Sequence, residues 1–327
     1  MNFKTTQKNY FFAFLSMLAL FSNLAIAQSP ISELRGGTDS KSIQHQGVVE
    51  LGVLRPINGT KKFKFDKICG AGLISPTRVL TAAHCVIDVT GGTGVLKYNY
   101  YIGKHKGNKF LGNFPAKTLE QFQNQGVVLR KVATTQPILH PSALADIKSG
   151  KAPFIVGEMV DLAILELEQP IADIKPLRIA NAQLQSTLKP GDSVIATGFS
   201  IDPKTGLDEE FLQRVNLSTV SNSRCNRISK KITEQTRSDT SRPESVYPIP
   251  GRTLCTYDRG IGTCGGDSGS PVFMRDATGS QQLVGVVSWG DSKVHCGDAP
   301  LLGILERPTG VAKWFDSVSG LDYKIAQ

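Results

Sequence analysis

Side chains able to break an acyl bond occur in separate parts of the chain. A serine lies in TCGGDSGSP, Thr263 to Pro271, a histidine in VLTAAHC, Val79 to Cys85, and an aspartate in DLAILEL, Asp161 to Leu167. Acyl transfer by serine needs a base to take the hydroxyl proton, an acid to orient that base, and donors for the oxyanion. Taken alone, TCGGDSGSP reads equally well as a glycine-rich surface turn, since Gly, Asp and Ser are ordinary loop residues. Of the five histidines, His45, His105 and His140 sit in polar, turn-like contexts and His295 adjoins Cys296. Only His84 follows an apolar run that ends in small residues. Asp161 comes directly after Met159 and Val160 and opens an apolar strand, where a charge is costly unless paired or hydrogen-bonded. An acid capping a strand end is the plainer alternative. The chain order is His84, Asp161, Ser268. An α/β-hydrolase would run serine, acid, histidine and place its serine in GxSxG, but Ser270 occupies the last position of that motif here.

The elements that must position these residues read as short strands. VVELGVL (Val48 to Leu54), DLAILEL, DSVIATGF (Asp192 to Phe199) and LVGVVSWG (Leu283 to Gly290) alternate between turn signals, which suggests a barrel or sandwich. The clear helix is last: Thr309 can cap it, Val311, Trp314, Phe315 and Val318 share a face, and Gly320 can end it. Thr90 to Asn99 and Asn226 to Thr253 read as long loops.

Residues 1–27 read as a secretory signal peptide: Lys4 and Lys8, an apolar run from Phe11 to Phe21, then Ala25-Ile26-Ala27 before the cut. The run is broken by Ser16, Ser22 and Asn23, whereas a membrane span needs about 20 mostly apolar residues, so no stable membrane anchor is expected. The mature protein is expected to be secreted or periplasmic. The net charge is +9, with lysines grouped at Lys61, Lys62, Lys64 and Lys67 and at Lys104, Lys106 and Lys109. Without a nucleic-acid-binding motif these read as solvated loops that favour acidic partners, and no nucleic acid is expected. The six cysteines, Cys69, Cys85, Cys225, Cys255, Cys264 and Cys296, imply disulfides in an exported chain, though spacing alone does not choose the pairing. No CxxC pair exists, His84-Cys85 lacks the partners of a zinc site, and Asp88, Glu120 and Asp146 are too separated for a calcium loop. No metal and no cofactor are expected.

With these motifs in order, the chain resembles a trypsin/chymotrypsin-family serine endopeptidase. TAAHC (Thr81 to Cys85), DLAIL (Asp161 to Leu165) and GDSGSP (Gly266 to Pro271) match the histidine, aspartate and serine motifs. VSWG (Val287 to Gly290) and ATGFS (Ala196 to Ser200) resemble two further segments, so the match covers nearly the whole chain after Leu34. The resemblance implies an all-β fold of two packed antiparallel Greek-key β-barrels, about 34–170 and 171–308, with a C-terminal α-helix at about 309–320. It implies a peptidase domain over 34–327 after a short propeptide, 28–33. Ser268 would be the nucleophile, His84 the base and then acid, and Asp161 the group that fixes its tautomer. The N–H groups of Gly266 and Ser268 would form the oxyanion hole. Ser288 would hydrogen-bond near Asp161, and Ser288, Trp289 and Gly290 would pair with the substrate backbone. The family pattern pairs Cys69 with Cys85, Cys225 with Cys255 and Cys264 with Cys296.

Departures from the pattern concern activation and specificity. Leu34-Arg35-Gly36-Gly37 stands where Ile-Val-Gly-Gly is usual. A cut at Glu33–Leu34 would let the new Leu34 ammonium pair with Asp267, though Arg35 resists burial. Gly262, beside Thr263, occupies the pocket-floor position that is aspartate in trypsin-like members, and Leu301 lies near the pocket wall. That favours uncharged, small-to-medium or apolar residues at the cleavage position, unless another register brings Asp291 or Asp298 inside. Ser270 replaces a glycine and should leave the turn intact. The expected partners are protein or peptide substrates, with an activating protease and protein inhibitors as candidates, and a monomer is the default. A non-cleaving homologue that binds through the same scaffold, or an esterase, would carry the same motifs.

Overall fold

A computed structural model describes residues 38–39, 47–87, 98–133, 136–148, 160–199, 210–236, 251–290 and 300–326. The chain divides into Met1–Pro30 and a second unit, Ile31–Gln327, which holds all of these residues. The expected signal peptide, the Leu34 terminus and the Asp291 and Asp298 positions lie outside the described residues. In chain order the strands begin with β1 (Thr38–Asp39), β2 (Val48–Pro56), β3 (Phe63–Ser75), β4 (Arg78–Thr81) and β5 (Tyr101–His105). They continue with β6 (Val127–Lys131), β7 (Ile138–Leu139), β8 (Ala163–Glu166), β9 (Ser193–Gly198) and β10 (Gln213–Val220). The last are β11 (Thr253–Arg259), β12 (Pro271–Arg275), β13 (Gln281–Gly290) and β14 (Pro300–Glu306).

These form two seven-stranded antiparallel sheets, in line with the expected all-β, chymotrypsin-like class. The first runs β6-β5-β2-β3-β4-β8-β7, and a bridge between Val132 and Leu167 links the segments beyond β6 and β8. The second runs β1-β10-β11-β14-β13-β12-β9, and β9 also pairs with β10, which closes it into a ring with β1 outside. Alternation explains the inward faces: along β10, Val215 and Leu217 are buried while Asn216 between them is exposed. One apolar cluster fills the first sheet and continues to Phe199, Phe273, Leu283 and Phe315 on the other side. A second, with Val194, Val272, Val284 and Leu305, fills the ring.

The seam between the sheets is a backbone-to-backbone approach. Gly70 on β3 donates its N–H to the Ser268 carbonyl at 2.8 Å, and Thr81 Oγ1 on β4 donates to the Gly70 carbonyl at 2.8 Å. Gly269, at φ 78°, lies so close to both strands that a Cβ there would overlap Thr81 Oγ1 and the Gly70 carbonyl. Ser270 is buried against Gly70, its hydroxyl without a hydrogen-bond partner among the described residues.

Several local expectations are corrected. Thr309 does not cap the terminal helix: its hydroxyl donates to Gln185 Oε1 at 2.7 Å, and a 3-10 turn over Pro308–Val311 precedes the α-helix Ala312–Val318. Gly320 does follow that helix at φ 65°. The polar stretch read as a loop from Asn226 opens inside a helix, Asn222–Thr236, because Ser221 caps it through the Arg224 N–H and Cys225 and Ile228 give it an apolar side. Two lysines assigned to solvated loops are not solvated. Lys67 is half-buried in β3, and Lys104 is 5% exposed, its Nζ donating to the Val48 carbonyl at 2.8 Å. Burial pushes Lys104 down to about 7, with the nearby Glu50 carboxylate acting in the opposite direction.

Glu50, 1% exposed, accepts from the Leu111 N–H at 3.1 Å and supplies the charge that offsets Lys104. Removing one of two opposite charges buried together takes away the other's coulombic support, at about 3–5 kcal/mol, whereas replacing both by apolar groups is often neutral. Glu50→Ala is therefore expected to lower stability by about that amount. Glu50→Leu combined with Lys104→Met should recover most of the loss, and urea unfolding of the three proteins checks both outcomes.

Candidate active site

The imidazole of His84 is placed by a 3-10 turn, Ala83–Cys85, that follows directly on β4. The small residues Ala82 and Ala83 are fully buried, which packs the turn against the sheet and leaves His84 half-buried. Asp161 precedes β8, the strand that pairs with β4, so the sheet register itself brings the carboxylate to the histidine. His84 donates to Asp161 twice, from its backbone N–H to Oδ1 at 2.9 Å and from Nδ1 to Oδ2 at 2.8 Å. A carboxylate can only accept, so Nδ1 carries the proton and Nε2 is the ring's basic atom. Ser288, on β13 of the second sheet, donates its hydroxyl to Asp161 Oδ2 at 2.5 Å. It sits where the β13–β14 register shifts between Val287 and Trp289.

The electrostatics follow from these contacts. Burial of His84 disfavours its charged form, but the Asp161 carboxylate and its hydrogen bond outweigh that and hold the imidazole above the ordinary histidine value. Burial pushes Asp161 up, and this too is outweighed: His84, then Ser288 and the His84 N–H, leave it below the ordinary carboxylate value.

The serine turn docks beside this pair. Through Gly70 it binds one residue from Cys69, which is disulfide-bonded to Cys85, and Cys85 Sγ lies 3.8 Å from His84 Nε2. The grouping of Cys69, His84 and Cys85 is no metal site, since the two sulfurs are bonded to each other and offer no thiolate. Within the turn the N–H groups of Cys264, Asp267, Gly269 and Ser270 are all engaged, with Asp267 Oδ2, Cys264 O, Val287 O and Asp267 O respectively. Among the described residues none accepts from the N–H of Gly266 or of Ser268. Gly266 takes φ 97°. Two unengaged amides in one tight turn are suited to stabilise a developing anion.

A family model described as Trypsin matches residues 45–315. The chain belongs to the trypsin family. Trypsin zeta of Drosophila melanogaster is 26% identical over 312 residues, covering 92% of this chain and 91% of that protein. Kallikrein 1-related peptidase b24 of Mus musculus is 28% identical over 260 residues, covering 77% and 81%. Transmembrane protease serine 11E of Mus musculus is 25% identical, and the match spans only 49% of its length. The chain is thus a trypsin-family serine protease, and none of its described helices is long and apolar enough to cross a membrane.

The remaining positions can be placed on this trypsin-family framework. Gly262 is buried and Thr263 half-buried, directly before Cys264. Gly290 ends β13 and Leu301 lies in β14, while the side chains of Trp289 and Leu301 are outside the described residues. Cys225–Cys255 is formed as well as Cys69–Cys85; Cys264 is disulfide-bonded, and Cys296, its expected partner, lies outside the described residues. Asp267 is fully buried.

Two neighbours of the serine turn escape motif reading. Lys67 donates to the Gly266 carbonyl at 2.7 Å, and Gly198 lies directly under the Asp267 carboxylate. A Cβ at Gly198 would overlap Asp267 Oδ1, a close approach that the glycine in ATGFS could have signalled. Gly198→Ala is expected to displace Asp267 and cost about 1–3 kcal/mol of stability through overpacking. Thermal unfolding measures the loss, and a crystal structure of the variant should show the carboxylate and its turn moved.

Proposed function

We propose that this chain is an exported serine endopeptidase that hydrolyses peptide bonds through an acyl-enzyme. The observation that carries the reading is the pairing of buried Asp161 with half-buried His84, with its fixed tautomer, beside the serine turn. In this mechanism Ser268 Oγ attacks the scissile carbonyl carbon while His84 Nε2 takes the hydroxyl proton. The oxyanion is received by the N–H groups of Gly266 and Ser268, which are free of acceptors among the described residues. Collapse breaks the C–N bond as His84 returns its proton to the departing amine. Water then adds to the acyl-enzyme with His84 again as base. The second collapse releases the carboxylic acid and restores the Ser268 hydroxyl. Asp161 stabilises the imidazolium in both halves without taking its proton.

The substrate backbone would lie along Ser288, Trp289 and Gly290 as an added strand. Gly262 contributes no charge to the floor of the primary pocket, so cleavage is proposed after uncharged, small-to-medium or apolar residues. The protein is made with its signal at 1–27 and is activated by a cut at Glu33–Leu34. The new ammonium would pair with the fully buried carboxylate of Asp267. Protein substrates fit the family, and an activating protease is implied by the cut.

A serine-directed phosphonate is expected to label the processed protein, and Ser268→Ala to abolish the labelling; an unlabelled, correctly processed protein would sink the proposal. His84 must be neutral to act as base, so kcat/KM is expected to fall as pH drops through its raised pKa. Asp161→Asn removes the charge that raises it, which should move this acid limb to lower pH and cut kcat by about 10^4-fold. A pH–rate profile of both proteins reads the two effects. N-terminal sequencing of active enzyme is expected to begin at Leu34, and full activity in a form beginning at Gln28 would remove the activation step.

A further inference from the structure

Lys67 lies on β3 of the first sheet, yet its ammonium is bonded to the second. Nζ donates to the Gly266 carbonyl at 2.7 Å and also to the carbonyl of Phe199, just beyond β9. Its sequence neighbour Asp66 is paired elsewhere, with Arg55, and Lys64 is exposed. The Gly266 carbonyl and the Asp267 N–H belong to one peptide plane. Lys67 holds the first end of that plane, and the Cys264 carbonyl, accepting from the Asp267 N–H at 3.1 Å, holds the other. Gly266 needs such a restraint. Glycine rotates almost equally well into either half of backbone space, and the amide of this residue must hold one direction to serve an oxyanion.

We propose that Lys67 is a positioning residue for the oxyanion turn: its ammonium clamps the 266–267 peptide, which fixes the backbone on one side of the Gly266 Cα and so limits the rotation that would swing the Gly266 N–H, in the preceding peptide, away from the reacting carbonyl oxygen. The inference rests on the role proposed above for Gly266 and Ser268. A cation is suited to the task, because a charge-assisted hydrogen bond to a carbonyl is stronger than a neutral one. The same charge adds a positive potential near the place where negative charge develops, a contribution made in the transition state rather than in substrate binding. The aliphatic stem supplies the reach across the seam.

The test compares processed wild type with Lys67→Met, Lys67→Gln and Lys67→Arg. Deleting an oxyanion donor outright costs about 10^2–10^3-fold, and a donor left present but unaimed should cost less. Lys67→Met is expected to lower kcat by about 10–100-fold with KM little changed. Its affinity for a peptide aldehyde, whose hemiacetal oxygen uses the same amides, should fall in parallel. Lys67→Gln, which keeps a donor but no charge, should fall between, and Lys67→Arg should retain most of kcat. A Lys67→Met or Lys67→Gln enzyme with wild-type kcat and aldehyde affinity would overturn the proposal. So would losses in which kcat per phosphonate-titrated site is unchanged, since Lys67 would then only support folding. If wild type itself is not labelled at Ser268, the failure lies with the endopeptidase reading and not with the clamp.

Discussion

A carboxylate stays ionised away from water only if other donors replace its hydration, and Asp161 obtains those donors from both sheets. The His84 N–H and Nδ1–H come from the turn after β4, and the Ser288 hydroxyl comes from β13. Each bond does local work, but together they compel the two sheets to meet at one place. If the seam opened, Asp161 would lose Ser288 and gain water, the imidazole would lose part of its reason to hold one tautomer, and the serine turn would lose its seat on Gly70. The small residues of the seam follow from this demand. Backbone has to approach backbone there, so Gly70 and Gly269 stand where larger residues would hold the sheets apart.

A second constraint is the burial of Asp267, one residue before the candidate nucleophile. Its Oδ2 takes the Cys264 N–H, its Oδ1 faces Gly198, and its own N–H closes the turn onto Cys264. The turn that carries Ser268 is therefore built around an acid, and Lys67 reaches the same turn from outside. This division of labour answers the question raised by the glycine-rich stretch: Gly269 allows a close backbone approach and Gly266 a positive φ, while Gly265 is exposed as in an ordinary surface turn.

Much of this was legible in the chain because chemistry restricts residue identity. A charge at the mouth of an apolar strand demands partners, which is why Asp161 could be singled out, and alternating strands between turn signals announced an all-β fold. What escaped notice was governed by distance or by context. Nothing near Lys67 in the sequence distinguishes it from Lys61, Lys62 and Lys64, which are exposed; its acceptors lie 132 and 199 residues away. Lys104 was hidden in the same way, since what places it beside Glu50 is the pairing of β5 with β2, in which Glu50 lies opposite Gly103, and not its own neighbours in sequence. Thr309 had the right type for a cap but found a buried glutamine instead, and the helix from Asn222 was masked by a polar composition in which only Cys225 and Ile228 mark the packed side.

The separation of the contacts at the seam has a kinetic meaning. Asp161 and Ser288 are 127 residues apart, and Lys67 and Gly266 are 199 apart. Loops of that length close late, because the chain must give up their freedom before any such contact repays it. A half-folded molecule, with one sheet complete, holds the histidine and aspartate on one piece and the serine on another. The three side chains that the proposed mechanism joins therefore meet only after both sheets have formed and closed on each other, so an incomplete fold holds the parts without the arrangement.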